Sequence, residues 1–140
     1  MYKSILHATD LSENHFEMCQ QAVKIAKCFK ADLYLLHVIE EPATMILAQG
    51  LGFTEIASPE PLLNDAKMVM SVLGESLNIP QQQLFVEFGS TSEQIFNKAA
   101  DLGCQLIVIG HHFPHKMSMY TGNTARTVVN ETKYDVLTLR

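Results

Sequence analysis

Two stretches of this chain join an apolar strand to residues able to bind charge. Leu106-Ile107-Val108-Ile109 runs into Gly110-His111-His112, and a loop then ends in Gly122-Asn123-Thr124-Ala125. Glycine lets a ligand approach the backbone, and a helix that starts at Gly-Asn-Thr offers unpaired N–H groups to an anion. Near the N-terminus, Ile5 to Thr9 ends at Asp10-Leu11-Ser12 in the same manner. Asp10 reads either as a hydrogen-bond acceptor for a ligand or as a turn and helix-capping carboxylate. Two such strand ends point to one crevice at the carboxyl edge of an open α/β sheet.

Other reactive residues fall short of a catalytic pattern. His111, His112 and His115 form H-H-x-x-H, and imidazoles ligate zinc or nickel well. A catalytic zinc site draws three ligands from rigid elements, whereas these share one loop, so no metal is expected. His7 and His37 sit inside apolar runs and read as hydrogen-bonded core or crevice residues. Neither G-x-x-x-x-G-K-[ST] nor G-x-G-x-x-G occurs, which excludes the standard phosphate loops. No G-x-S-x-G elbow is present. Cys104 follows Gly103 at the start of a strand, the wrong end for a crevice nucleophile. Glu40-Glu41 reads as a solvated turn. The residues therefore favour binding over catalysis.

The elements that must position these residues follow from periodicity. Continuous apolar runs predict strands at Ile5–Thr9, Leu33–Ile39, Leu84–Phe88, Gln105–Ile109 and Asp135–Arg140. Helices are predicted from a Ser12 or Asn14 cap to about Phe29, and from a Ser58 cap with Pro59 to about Leu77. Two more run from a Ser90/Glu93 capping box to near Gly103 and from Gly122 to Glu131. The second carries Leu62, Leu63, Ala66, Val69, Met70 and Leu73 as its apolar positions. The alternation β-α-β-α-β-α-β-α-β predicts a doubly wound α/β sheet with helices on both faces, in one domain over residues 1–140. The connection Ala43–Phe53 is unusually apolar, and reads as a crevice lid, a partner contact or an extra helix on the domain edge.

Composition narrows the partners. Net charge is −5 and the ten basic residues are scattered, which argues against nucleic acid and membrane surfaces. Three cysteines without metal spacing predict reduced, mostly buried thiols in a cytoplasmic protein. No secretory leader is read at the N-terminus.

Nearly the whole chain resembles the universal stress protein family. Met1-Tyr2-Lys3-Ser4-Ile5-Leu6 is similar to the family's opening, Asp10-Leu11-Ser12 to its Asp after strand one, and His37-Val38 to the end of strand two. Gly110-His111-His112 and the closing Val136-Leu137-Thr138-Leu139-Arg140 resemble the type member's branch. The resemblance implies five mainly parallel strands in order 3-2-1-4-5, an adenine-nucleotide alpha-hydrolase-like sheet. It also implies a crevice for ATP or AMP formed by Ala8, Thr9, Asp10, Val38, Gly110, His112, Gly122, Asn123, Thr124 and Ala125. The nucleotide-binding branch carries G-x-x-G-x(9)-G-[ST]; here Phe113 and Asn123 stand at its second and third glycines, and Thr124 fits the last position. Pro114 and Gly122 match a second nucleotide-binding variant. A regulator or binder, a slow ATPase or metal-dependent hydrolase, and a chaperone-like interaction protein without nucleotide all stay open. A homodimer through Val136, Leu137, Thr138 and Leu139 is expected, because a terminal strand at a sheet edge exposes unpaired backbone groups.

Overall fold

The computed structural model describes residues 1–40, 47, 50–52, 60–110 and 122–140, with the backbone alone at 122 and 123. Five strands, β1 (Ser4–Ala8), β2 (Asp32–Ile39), β3 (Leu84–Phe88), β4 (Leu106–Gly110) and β5 (Asp135–Leu139), form one parallel sheet in order β3-β2-β1-β4-β5. The helices are α1 (His15–Phe29), α2 (Glu60–Leu77), α3 (Thr91–Asp101) and α4 (Gly122–Glu131). A short 3-10 turn at Gln81–Gln83, unforeseen from periodicity, leads into β3.

Two cores form because strand side chains alternate between faces. Leu6, Ala8, Leu36, Val38, Ile107 and Ile109 point toward Ile95 and Ala99 of α3 and Val128 of α4. Ile5, Leu33, Leu35, Leu106 and Val108 point toward Cys19, Ala22 and Ala26 of α1 and Met70 and Leu73 of α2. Gly74 permits the close seat of α2 on β3: a Cβ there would stand 2.5 Å from Leu84 Cδ1 and 3.1 Å from the Ile79 carbonyl oxygen.

Several expectations need correction. Ser90 precedes α3 but makes no side-chain cap bond, and neither does Asn14 before α1. Instead the buried Thr91 hydroxyl donates to Glu40 Oε1, so Glu40 is exposed yet engaged, not a bare solvated turn. A carboxylate at a helix N-terminus complements the helix dipole. Leu62 and Val69, expected on the apolar stripe of α2, are exposed. Cys19 and Cys104 are buried as expected, whereas Cys28 is exposed. Of the apolar connection, residues 47 and 50–52 are described, and Leu47 and Leu51 are exposed there; the rest, and the Ser58 cap, lie outside the described residues. Among the described residues no helix is long and apolar enough to cross a membrane.

Candidate functional site

β1 and β4 are direct neighbours, with Ala8 opposite Ile109. Asp10, just past β1, and Gly110, the last residue of β4, therefore stand at one edge of the sheet. There the strand order reverses, the position at which open α/β sheets receive ligands. The turn after β1 is tightly fixed. Asp10 Oδ1 accepts the Ser12 N–H at 2.9 Å, and Thr9 Oγ1 accepts the Leu11 N–H at 3.3 Å. Leu11 takes a left-handed backbone (φ 56). That conformation is uncommon for a residue with a side chain, and it was not legible in Asp-Leu-Ser. Asp10 thus fills its turn role while remaining at the crevice.

A polar row lies beneath this turn, on the α1 side of the sheet. His37 Nδ1 donates to the Thr9 carbonyl at 2.8 Å, and His7 Nδ1 donates to the Val108 carbonyl at 2.9 Å. Carbonyls only accept, so both Nδ1 atoms carry protons. His7 is 1% exposed, and its Nε2 has no hydrogen-bond partner among the described residues. Burial lowers the His7 pKa to about 4, against smaller opposing effects of the Val108 bond and the nearby Asp10 charge. Burial also lowers that of His37, with His15 adding to the effect. Burial pushes the Cys19 thiol up to about 12 despite its hydrogen bond with Thr9. A thiol so far from its thiolate is a packing residue rather than a nucleophile.

Met18 of α1 covers Gly110. A Cβ built on Gly110 would stand 2.4 Å from the Met18 sulfur. The glycine therefore makes room for the protein's own thioether on that side, a role its sequence context did not reveal.

The remaining expected residues divide clearly. Ala8, Thr9 and Asp10 are buried at the end of β1, and Thr124 and Ala125 in the first turn of α4. Val38 is 0% exposed with its side chain in the α3–α4 core, so its backbone is what it can offer a ligand. Gly122 and Asn123 begin α4. His112, with His111, Phe113, Pro114 and His115, lies outside the described residues. No group of three or more metal-ligating side chains occurs among the described residues.

An open doubly wound parallel sheet, with Asp10 and Gly110 at its switch point, is the class that fold and site define. A profile of the universal stress protein family matches residues 1–140. Universal stress protein A homolog 2 of Coxiella burnetii (strain RSA 493 / Nine Mile phase I) is 30% identical over 140 residues, spanning 99% of this chain and 95% of that protein. Universal stress protein G of Escherichia coli O157:H7 is 26% identical over 145 residues, spanning 100% of both. Among solved structures, universal stress protein UspA from Lactobacillus plantarum superposes with a TM-score of 0.73 at 21% identity, covering 99% of this chain and 98% of that one. A universal stress protein in complex with cAMP superposes with a TM-score of 0.61 at 18% identity, covering 99% and 97%. The chain belongs to the universal stress protein family.

Proposed function

We propose that the protein is a cytoplasmic stress-response binding protein that takes an adenine nucleotide in the crevice above β1 and β4 and works as a homodimer. The observation that carries the nucleotide reading is the meeting of Asp10 and Gly110 at the ends of neighbouring parallel strands. The α4 helix adds to it. The first turns of α1, α2 and α3 contain Glu17, Glu60 and Glu93, whereas that of α4 contains no acidic residue. A first turn without its own carboxylate suits an outside anion. N–H groups of Gly122 to Ala125 and the Thr124 hydroxyl would meet phosphate. Asp10 and the Val38 backbone would meet ribose or base, over a floor of Ala8 and Thr9. Asp10 already accepts from Ser12, which suits a fixed acceptor better than a proton carrier. The fold relative with bound cAMP supports the ligand class.

Two observations favour a second reading, an interaction protein with a closed crevice: Met18 fills the space beside Gly110, and Val38 is enclosed. Heat release followed by chromatography would detect adenine nucleotide carried through purification. Calorimetric titration with AMP, ATP and cAMP would then measure uptake. Absence of released nucleotide together with no heat from any of the three would leave only the second reading.

Assembly rests on the free edge of β5. Leu137 is 39% exposed and Thr138 is also exposed on this edge strand. Pairing with the β5 of a twofold-related copy would satisfy its outer backbone groups and cover Leu137. The opposite edge is guarded: on β3, Glu87 pairs with Lys98 at 2.8 Å, and Lys98 also lies 4.6 Å from the Phe85 ring centre. Sedimentation should give at least twice the chain mass of 15.7 kDa. Leu137→Pro, which removes one N–H and disturbs the extended pairing, should lower it. A wild type that sediments as monomer at micromolar concentration would exclude the homodimer.

A further inference from the structure

Among the described residues, the space over Gly110 is filled by the end of one side chain. A Cβ built there meets only Met18 within 4 Å, its sulfur at 2.4 Å and its methyl carbon at 3.2 Å. Gly74 offers a contrast. A Cβ there meets the Ile79 carbonyl oxygen as well as Leu84, so part of that enclosure is main chain and cannot turn away. Over Gly110, withdrawal of one thioether opens the strand end. The Met18 backbone is anchored near the start of α1, where its N–H donates to the Asn14 carbonyl at 3.2 Å. Its side chain is unbranched and adaptable. It lies half-buried at the margin of the α1–α2 core, beside the fully buried Cys19. Rotation outward therefore gives up contacts at the margin and leaves the core packed.

We propose that Met18 is a displaceable plug that competes with the nucleotide for the end of β4. The inference rests on the nucleotide reading of the crevice. A glycine at a strand end admits a ligand through the space a side chain would fill, and here the thioether takes that space. It offers a phosphate nothing in exchange, since a thioether sulfur is a weak acceptor with no proton to donate. Ligand and thioether therefore exclude each other, and binding selects the arrangement in which Met18 has turned away. Apparent affinity falls with the fraction of molecules in that arrangement: one open molecule in about ten weakens binding about tenfold. The open and closed readings of the crevice then become two positions of one side chain.

Calorimetric titration of the full chain with AMP tests this, on wild type, Met18→Ala and Met18→Leu, with circular dichroism to verify the fold of each. Met18→Ala should bind about tenfold more tightly than wild type. Met18→Leu keeps the bulk of the side chain and should bind like wild type. Methyl NMR of the wild type supplies a second readout that does not depend on the variants folding. As AMP is added, the Met18 resonance should move toward that of the exposed Met68, a change that a methionine serving only to fill the core would not show. Equal affinities for wild type and Met18→Ala would overturn the plug and leave the nucleotide reading standing. Weaker binding by Met18→Ala would also overturn it, as a thioether packed against the adenine ring would produce. So would a Met18 resonance that stays in place while AMP binds. Uptake by Met18→Ala alone would support the plug and show that the wild type rests closed. No uptake by either protein would overturn the plug and the nucleotide reading together.

Discussion

The two faces of this sheet solve the same burial problem with different chemistry. On the α3–α4 side the strands contribute Leu6, Ala8, Leu36, Val38, Ile107 and Ile109, and the packed layer is apolar up to the crevice. On the α1–α2 side His7 stands level with Leu35 and Val108, Thr9 and His37 follow toward the strand ends, and Met18 and Cys19 of α1 pack on this face. The first face rests on close packing of inert groups. The second contains groups whose protonation matters, and it is the face from which α1 reaches over to Gly110. The difference shows that stability and ligand response need not draw on the same layer.

The largest effect should come from the apolar face. Ile109 is fully buried, and Ile109→Ala should cost about 2–5 kcal/mol through lost transfer energy and a cavity. Urea unfolding at pH 7 and pH 5 should give the same penalty. A strongly pH-dependent penalty would break the contrast between faces.

Next in size is the acid response of the polar face. The folded-state pKa of His7 is lowered to about 4, whereas an unfolded histidine titrates near 6.5. As pH falls below about 6.5, the unfolded chain takes up a proton that the folded protein refuses. Stability from this group should therefore decline between about pH 6.5 and pH 4, by roughly 3 kcal/mol in all, and level off below. The lowered pKa of His37 acts in the same direction. In His7→Leu the slope over that window should be shallower; an unchanged slope would assign the acid response elsewhere.

A smaller effect is expected where the polar face meets the crevice. Gly110→Ala introduces a methyl group against the Met18 sulfur. Because that sulfur is near the end of a flexible side chain, Met18 should turn aside at a cost of roughly 1 kcal/mol. The Met18 methyl resonance should shift while the core of the opposite face stays put. Smallest of all, Thr124→Ala should weaken nucleotide uptake by about 0.5–1.5 kcal/mol if its hydroxyl meets the ligand, as titration of both proteins with AMP would register. Equal affinities would remove Thr124 from the site.

The fold was legible because its strands are short apolar runs separated by helical periods, and order 3-2-1-4-5 came with the family likeness. Strand ends shifted by one residue at β1, β2, β4 and β5, where hydrogen bonding rather than hydrophobicity sets the boundary. Asp10 and Gly110 could be paired in advance because their strands are neighbours in that order. Met18 over Gly110 and Glu40 at Thr91 could not, since each joins elements through a side-chain contact that no local pattern encodes. The left-handed Leu11 was hidden for a related reason: the bonds that hold it come from Thr9 and Asp10, whose roles emerge only once β1 has stopped.

The pairing of β1 with β4 has a kinetic consequence. Ile5 finds Leu106 and Ala8 finds Ile109 only after about a hundred intervening residues have been looped out, and such long closures slow folding. The central strand of the finished sheet is thus one-sided early in folding, joined to β2 alone, with an unpaired apolar edge. During that interval the chain is most open to association with other unfinished chains, and the arrival of β4, rather than the docking of any helix, should end it.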